Sequence, residues 1–191
     1  MIDTIVLAGG SSRRFGTNKL QADMLGEPLI HHTIKTFYDI SQQVIVVTGE
    51  YSLEPNSLSD PNSKINIVTN PNHRLGMFTS VQRGIQETNN SVFIIPGDMP
   101  LVNPKTLQII AESTGEIRVP VYGNRRGHPI FIHRHLHDVL LQEPLDSNLK
   151  AFRDRYAVNY IEVDDPGILI DIDTEQDLSN HQPERTESHE D

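Results

Sequence analysis

The 191-residue sequence contains no cysteine. That absence excludes a disulfide scaffold, a zinc-cysteine site and a thiolate nucleophile, leaving His, Asp, Glu, Lys, Arg and hydroxyl groups to carry any chemistry. Long apolar runs are missing as well. None approaches the ~18 residues that a membrane span needs, and Met1-Ile2-Asp3-Thr4 places no basic region ahead of an apolar stretch. The expectation is a cytoplasmic protein with no membrane partner. Positive charge is scarce, with 16 Lys and Arg against 26 Asp and Glu and a formal net charge of −10. Affinity for nucleic acid rests on many Lys and Arg contacts to backbone phosphates, so a broad nucleic-acid face is excluded. Any anion must be held by a small local cluster of positive groups.

What is present suffices for one domain, residues 1–179, followed by an acidic tail, 180–191. At this length roughly 70% of the unfolded chain's surface can be buried, so the core needs no metal or disulfide. From Asn180 onward the chain has no apolar side chain beyond Pro183, and Glu184, Glu187, Glu190 and Asp191 face only Arg185. Such a segment is expected to be disordered. Upstream, short runs rich in Val and Ile alternate with longer amphipathic stretches, the pattern of an α/β fold with a mostly parallel sheet covered by helices on both faces.

Strands are expected at Ile2 to Leu7, Gln43 to Thr48, Ile65 to Thr69, Val92 to Ile95 and Asn159 to Val163. Helices are expected at Leu29 to Asp39, Met77 to Glu87, Pro104 to Glu112, Arg134 to Leu141 and Ser147 to Arg155. Asn103 and Pro104 form an N-cap and first-turn pair, and Thr174 with Asp177 forms a capping box. The turn-rich stretch Tyr51 to Ser63 reads as a surface loop. Ile117 to Tyr122 and His128 to His133 read as a hairpin around Gly123-Asn124-Arg125-Arg126-Gly127.

The most informative stretch is Leu7-Ala8-Gly9-Gly10-Ser11-Ser12-Arg13-Arg14-Phe15-Gly16-Thr17-Asn18-Lys19-Leu20. A strand runs into small residues whose backbone N–H groups can approach a phosphate, and Arg and Lys beside them can neutralise it. This is neither the dinucleotide fingerprint nor a P-loop, since the glycine and lysine spacings of both are absent. Further on, Pro96-Gly97-Asp98-Met99-Pro100 sets one carboxylate just past the end of a buried strand, where open α/β sheets bind ligands. A hard cation such as Mg²⁺ takes one or two carboxylates there and completes its shell with water and phosphate oxygens. Alternation in Ile170-Asp171-Ile172-Asp173 directs two more carboxylates to one face.

These segments resemble, in order, the signature motifs of the nucleotidyltransferases related to the molybdenum cofactor cytidylyl- and guanylyltransferases. Asn70 to Gly84, with Gly76-Met77 and Ser80, is similar to the family's loop before a helix; Arg126-Gly127-His128-Pro129 is similar to its acceptor-side motif. The resemblance implies a three-layer, Rossmann-like, nucleotide-diphospho-sugar transferase-like fold.

It also implies a set of roles. Arg14, Lys19 and Asp98 would be catalytic. Leu7, Ala8, Gly9, Gly10, Ser11, Ser12, Arg14, Lys19, Thr79 and Ser80 would bind the nucleotide, and His128 the acceptor. Mg²⁺ would lie on Asp98 with Asp171 or Asp173, Asp171 preferred. The implied reaction passes a nucleoside monophosphate from CTP to the terminal phosphate of molybdopterin cofactor, with pyrophosphate leaving. Leu7-Ala8-Gly9-Gly10 resembles the guanylyl branch, so GTP remains open, as does a sugar-phosphate acceptor. Molybdoenzyme maturation proteins are the candidate protein partners. The competing class is a non-catalytic nucleotide- or cofactor-binding accessory module, which would have no need of two metal-facing acids. Leu145 to Phe152 lacks the glycines that the family often carries in its downstream segment.

Overall fold

A computed structural model describes residues 1–10, 18–51 and 64–181 of the chain. The loop 11–17, most of the expected connector 51–63 and the tail from residue 182 lie outside the described residues.

Ten strands are described: β1 Ile2–Ala8, β2 Asp23–Met24, β3 Glu27–Pro28, β4 Val44–Thr48, β5 Ile65–Thr69, β6 Ser91–Pro96, β7 Ile117–Tyr122, β8 Arg125–Arg126, β9 Ile130–Ile132 and β10 Val158–Glu162. The helices are α1 Leu29–Tyr38, α2 Met77–Ile85, α3 Pro104–Glu112, α4 His137–Leu141, α5 Leu149–Arg153 and α6 Glu175–Asn180. The main sheet runs β10-β7-β9-β6-β1-β4-β5, with β8 attached to β7. β1 lies parallel to both β4 and β6, and β9 alone on this path runs antiparallel, wedged between β6 and β7. The chain therefore winds outward from β1 to β5, then returns to the other side of β1 with β6. That reversal leaves a crevice at the carboxyl ends of the central strands.

Strand β1 shows why the sheet is covered on both faces. Val6 and Ala8 enter one apolar cluster and Ile5 and Leu7 the other, as a period of two requires. On the first face Phe37, Phe93 and Phe131 meet edge to face at centroid distances of 6.0 and 5.7 Å. On the second, helix α2 lies so close to β1 that a Cβ on Gly84 would sit 2.6 Å from Ile5.

The expected hairpin is present but tighter and longer than the sequence suggested. Gly123 and Asn124, both at positive φ, make a two-residue turn that sets Arg125 opposite Tyr122. The chain then continues in the same direction along β7, and β9 pairs with the start of that strand, Ile132 opposite Ile117. The expected helix from Arg134 divides into a 3₁₀ turn, Arg134–Leu136, and α4. The small β2–β3 ribbon was not foreseen, because two-residue strands carry too little pattern to read.

Buried Asp165 ties two distant segments together. One carboxylate oxygen accepts from the Asn103 backbone N–H and the Thr106 hydroxyl at the start of α3, the other from the Gly167 N–H. Asn103 caps α3 through its side chain. Gly167 has no room for a side chain, since a Cβ there would lie 2.0 Å from the Leu101 carbonyl oxygen. Gly167→Ala is expected to cost about 1–3 kcal/mol or more through overpacking against backbone. A lowered urea midpoint at unchanged slope checks it; an unaltered midpoint contradicts the packing described.

Candidate active site

The carboxyl ends of β1, β4 and β6 open into a cavity of about 720 Å³. Each element presents its functional groups for a local reason. The turn after β6 is pinned to the end of β1, where the Gly97 N–H donates to the Leu7 carbonyl at 3.0 Å. From the other side the Thr33 hydroxyl of α1 donates to the Gly97 carbonyl at 2.9 Å. Asp98 is thus fixed at the cavity floor. Its own carbonyl accepts from the Ile172 N–H at 2.9 Å, which draws the C-terminal segment across the turn.

Lys19 arrives from the opposite wall on a 3₁₀ turn capped by the Asn18 side chain. Its ammonium lies 2.5 Å from Asp98 Oδ2 and 2.7 Å from Asp173 Oδ1, bridging two carboxylates that belong to different parts of the chain. Burial works to lower the Lys19 pKa, but the bonds to Asp173 and Asp98 outweigh it and the pKa is raised. The ammonium therefore keeps its charge throughout the neutral range. Asp173 is held in turn by α6: Asp177 Oδ2 accepts from the backbone N–H groups of Asp173 and Thr174, completing the expected capping box. The second oxygen of Asp98, Oδ1, is buried and has no hydrogen-bond partner among the described residues.

Of the residues singled out in the sequence, Leu7, Gly9, Gly10, Lys19, Ser80 and Asp98 line this one cavity. Ala8 is buried just behind it. Thr79 does not line it; its hydroxyl closes the loop before α2, accepting from the Asn70 side chain and donating to the Gly76 carbonyl. Ser11, Ser12, Arg13 and Arg14 lie outside the described residues. Of the two C-terminal acids the structure brings Asp173 to Lys19, not the preferred Asp171. Buried Ile172 separates them, and Asp171 is exposed on the side of His128.

His128 stands apart from the cavity lining. Its backbone N–H donates to the Ile168 carbonyl at 2.9 Å, and its Nδ1 is buried without a partner among the described residues. Burial lowers its pKa against the Ile94 carbonyl and the charges of Asp98 and Asp171, which raise it, so the ring is neutral at pH 7.

Glu50 lines the cavity unforeseen, and His73, Arg74 and Met77, which belong to the loop motif of Asn70 to Gly84 but were given no role of their own, line it too. The signal lay in the loop before α2, where attention to hydroxyls overlooked the side chains that the loop turns inward. His73 donates from Nδ1 to the Asn70 carbonyl at 3.1 Å, and its Nε2 is buried with no partner among the described residues. Gly49 was overlooked too. A Cβ there would lie 2.9 Å from Gly9 Cα, from Gly9 O and from His73 Cβ, so only glycine lets the ends of β1 and β4 meet this closely.

The profile of the MobA-like NTP transferase domain matches residues 4–159. The chain belongs to the MobA-like NTP transferase family. It is a nucleotidyltransferase. The molybdenum cofactor cytidylyltransferase of Escherichia coli (strain K12) is 28% identical over 192 residues, covering 97% of this chain and 98% of that protein. A probable molybdenum cofactor guanylyltransferase of Natranaerobius thermophilus is also 28% identical, with 93% of each covered. Rv0371c from Mycobacterium tuberculosis H37Rv superposes with a TM-score of 0.78 at 23% identity, covering 94% of this chain and 95% of that one. This last likeness shows the shared α/β fold. No helix among the described residues is long and apolar enough to cross a membrane.

The lowered pKa of His128 gives this MobA-like domain a pH signature. Below the ordinary imidazole pKa of about 6.5 the unfolded chain takes up a proton that the folded ring refuses, so stability is full above that pH and falls on acidification toward the folded pKa. His128→Gln is expected to flatten the decline in melting temperature below about pH 6.5. Parallel declines in both proteins would contradict the burial described.

Proposed function

We propose that this chain transfers the nucleoside monophosphate of an NTP, with CTP the first choice, to the terminal phosphate of molybdopterin cofactor, releasing pyrophosphate. The observation that carries the reading is the Asp98–Lys19–Asp173 cluster at the floor of a strand-end cavity large enough for a nucleotide. The acceptor is argued from the two full-length relatives named above.

Nucleotidyl transfer asks the protein for alignment and charge rather than for a covalent nucleophile. The exposed backbone of Gly9 and Gly10 offers close approach to phosphates. Lys19 supplies a permanent positive charge where negative charge accumulates on the departing pyrophosphate. Asp98, whose buried Oδ1 has no hydrogen-bond partner among the described residues, and Asp173 fit the needs of Mg²⁺, which when bound neutralises and polarises phosphate oxygens. His128, neutral and outside the nucleotide cavity, shapes the acceptor side, and Arg14 joins Lys19 on the phosphates. A guanylyl reading is the alternative, since Leu7-Ala8-Gly9-Gly10 resembles that branch.

The test is pyrophosphate release with Mg²⁺, each of CTP, GTP, ATP and UTP, and either molybdopterin or a sugar phosphate as acceptor. Turnover is expected with CTP and molybdopterin, and Asp98→Ala and Lys19→Ala are expected to lower it by at least about 10²-fold while the far-ultraviolet circular dichroism is unchanged. Near-normal turnover in either folded variant overturns the site. Binding of nucleotide without turnover under any pairing would favour the accessory module.

A further inference from the structure

A second cluster of potential ligands lies at the opposite end of the sheet. Glu116 immediately precedes β7, and His133 and His135 immediately follow β9. Because β9 runs antiparallel to β6, its end lies beside the start of β6: the Arg134 N–H donates to Ser91 Oγ, whereas Asp98 lies beyond the far end. The length of β6 separates the two by about 20 Å at ~3.3 Å per residue.

The backbone fixes the three residues relative to one another. The His133 N–H donates to the Glu116 carbonyl at 2.8 Å, extending the β7–β9 pairing by one step. The His133 and His135 rings stand edge to face with centroids 4.4 Å apart. One ligand atom from each of Glu116, His133 and His135 lies within 4.8 Å of the other two. Around a tetrahedral ion with bonds of about 2.0–2.2 Å, ligand atoms are about 3.3–3.6 Å apart. Small side-chain rotations close that difference.

Nothing else described takes up these groups. Glu116 makes no ion pair among the described residues. The nearby Arg118 is turned inward, bonded to the Gly115, Ile110 and Ala111 carbonyls and stacked 4.0 Å from the Phe131 ring centre. The one bond to a ligand ring, from the His135 N–H to His133 Nδ1, is 3.4 Å long, at the weak limit, and gives way when that ring binds a cation. His137 continues the alternation but is buried at the start of α4, so it does not join the cluster.

We propose that Glu116, His133 and His135 form a binding site for a borderline divalent cation of the Zn²⁺ class, with solvent completing its coordination. Two imidazoles and one carboxylate suit Zn²⁺, Co²⁺, Ni²⁺ or Cu²⁺ and are a poor set for Mg²⁺. The bound ion joins the start of β7 to the end of β9 and so stabilises the acceptor-side half of the sheet.

The test titrates the tag-free, full-length chain with Co²⁺ and follows its visible d–d absorption, then adds Zn²⁺. One equivalent is expected to bind with Kd of about 100 µM or tighter, to be displaced by Zn²⁺, and to persist in Asp98→Ala, which separates this site from the nucleotide cavity. His133→Ala and His135→Ala are expected to weaken binding more than the ~10-fold that even outer-shell partners are worth. His181→Ala is expected to leave it unchanged. Zn²⁺ should raise the melting temperature of the wild type but not of His135→Ala. Absence of saturable binding overturns the proposal, as does wild-type affinity in His135→Ala, whose exposed ring can be removed without disturbing the core.

Discussion

The ammonium of Lys19 between Asp98 and Asp173 is the interaction on which the rest of the site depends. Two carboxylates brought to one cavity floor repel each other. The lysine removes that conflict at short range. It also fixes the relation of three segments that share no secondary structure: the turn after β1, the turn after β6 and the approach to α6. The site's electrostatics and its assembly are therefore one problem. With one ammonium against two carboxylates the cluster is formally −1, so in a protein of net charge −10 an anion needs further positive charge beside it, such as a divalent cation on the acids.

Most of the architecture was legible in the sequence because its signals are local. Apolar runs bounded by turns gave the central strands, Asn103-Pro104 gave the start of α3, and Thr174 with Asp177 gave the cap of α6. The β9 insertion was only half legible: a hairpin is written in Gly123 and Asn124, but which neighbour its second arm joins depends on β6, whose paired residues lie 36 to 40 positions earlier. The ribbon at β2–β3 carries no periodicity at all. Its turn places Leu25 at positive φ, a conformation that sequence patterns argue against.

The candidate site was legible where chemistry and backbone geometry coincide. Gly-Asp after a buried strand leads straight to Asp98, and a basic residue after a glycine-rich turn leads to Lys19. The choice between Asp171 and Asp173 was not legible, because alternation gives both the same face. What separates them is the depth of Ile172 and the Asp177 carboxylate that grips the Asp173 backbone, both tertiary facts. Gly49 was missed because the close approach of another strand is what requires it, whereas His73 is turned inward by a local contact, the Asn70 carbonyl three residues earlier.

The Lys19–Asp173 pair spans 154 residues of sequence. The matched domain profile ends at residue 159, before Asp173. A fragment cut at residue 159 would keep the whole matched profile yet lose one of the two carboxylates that hold the Lys19 ammonium. The extent of the family match therefore understates the length of chain that the cavity floor needs.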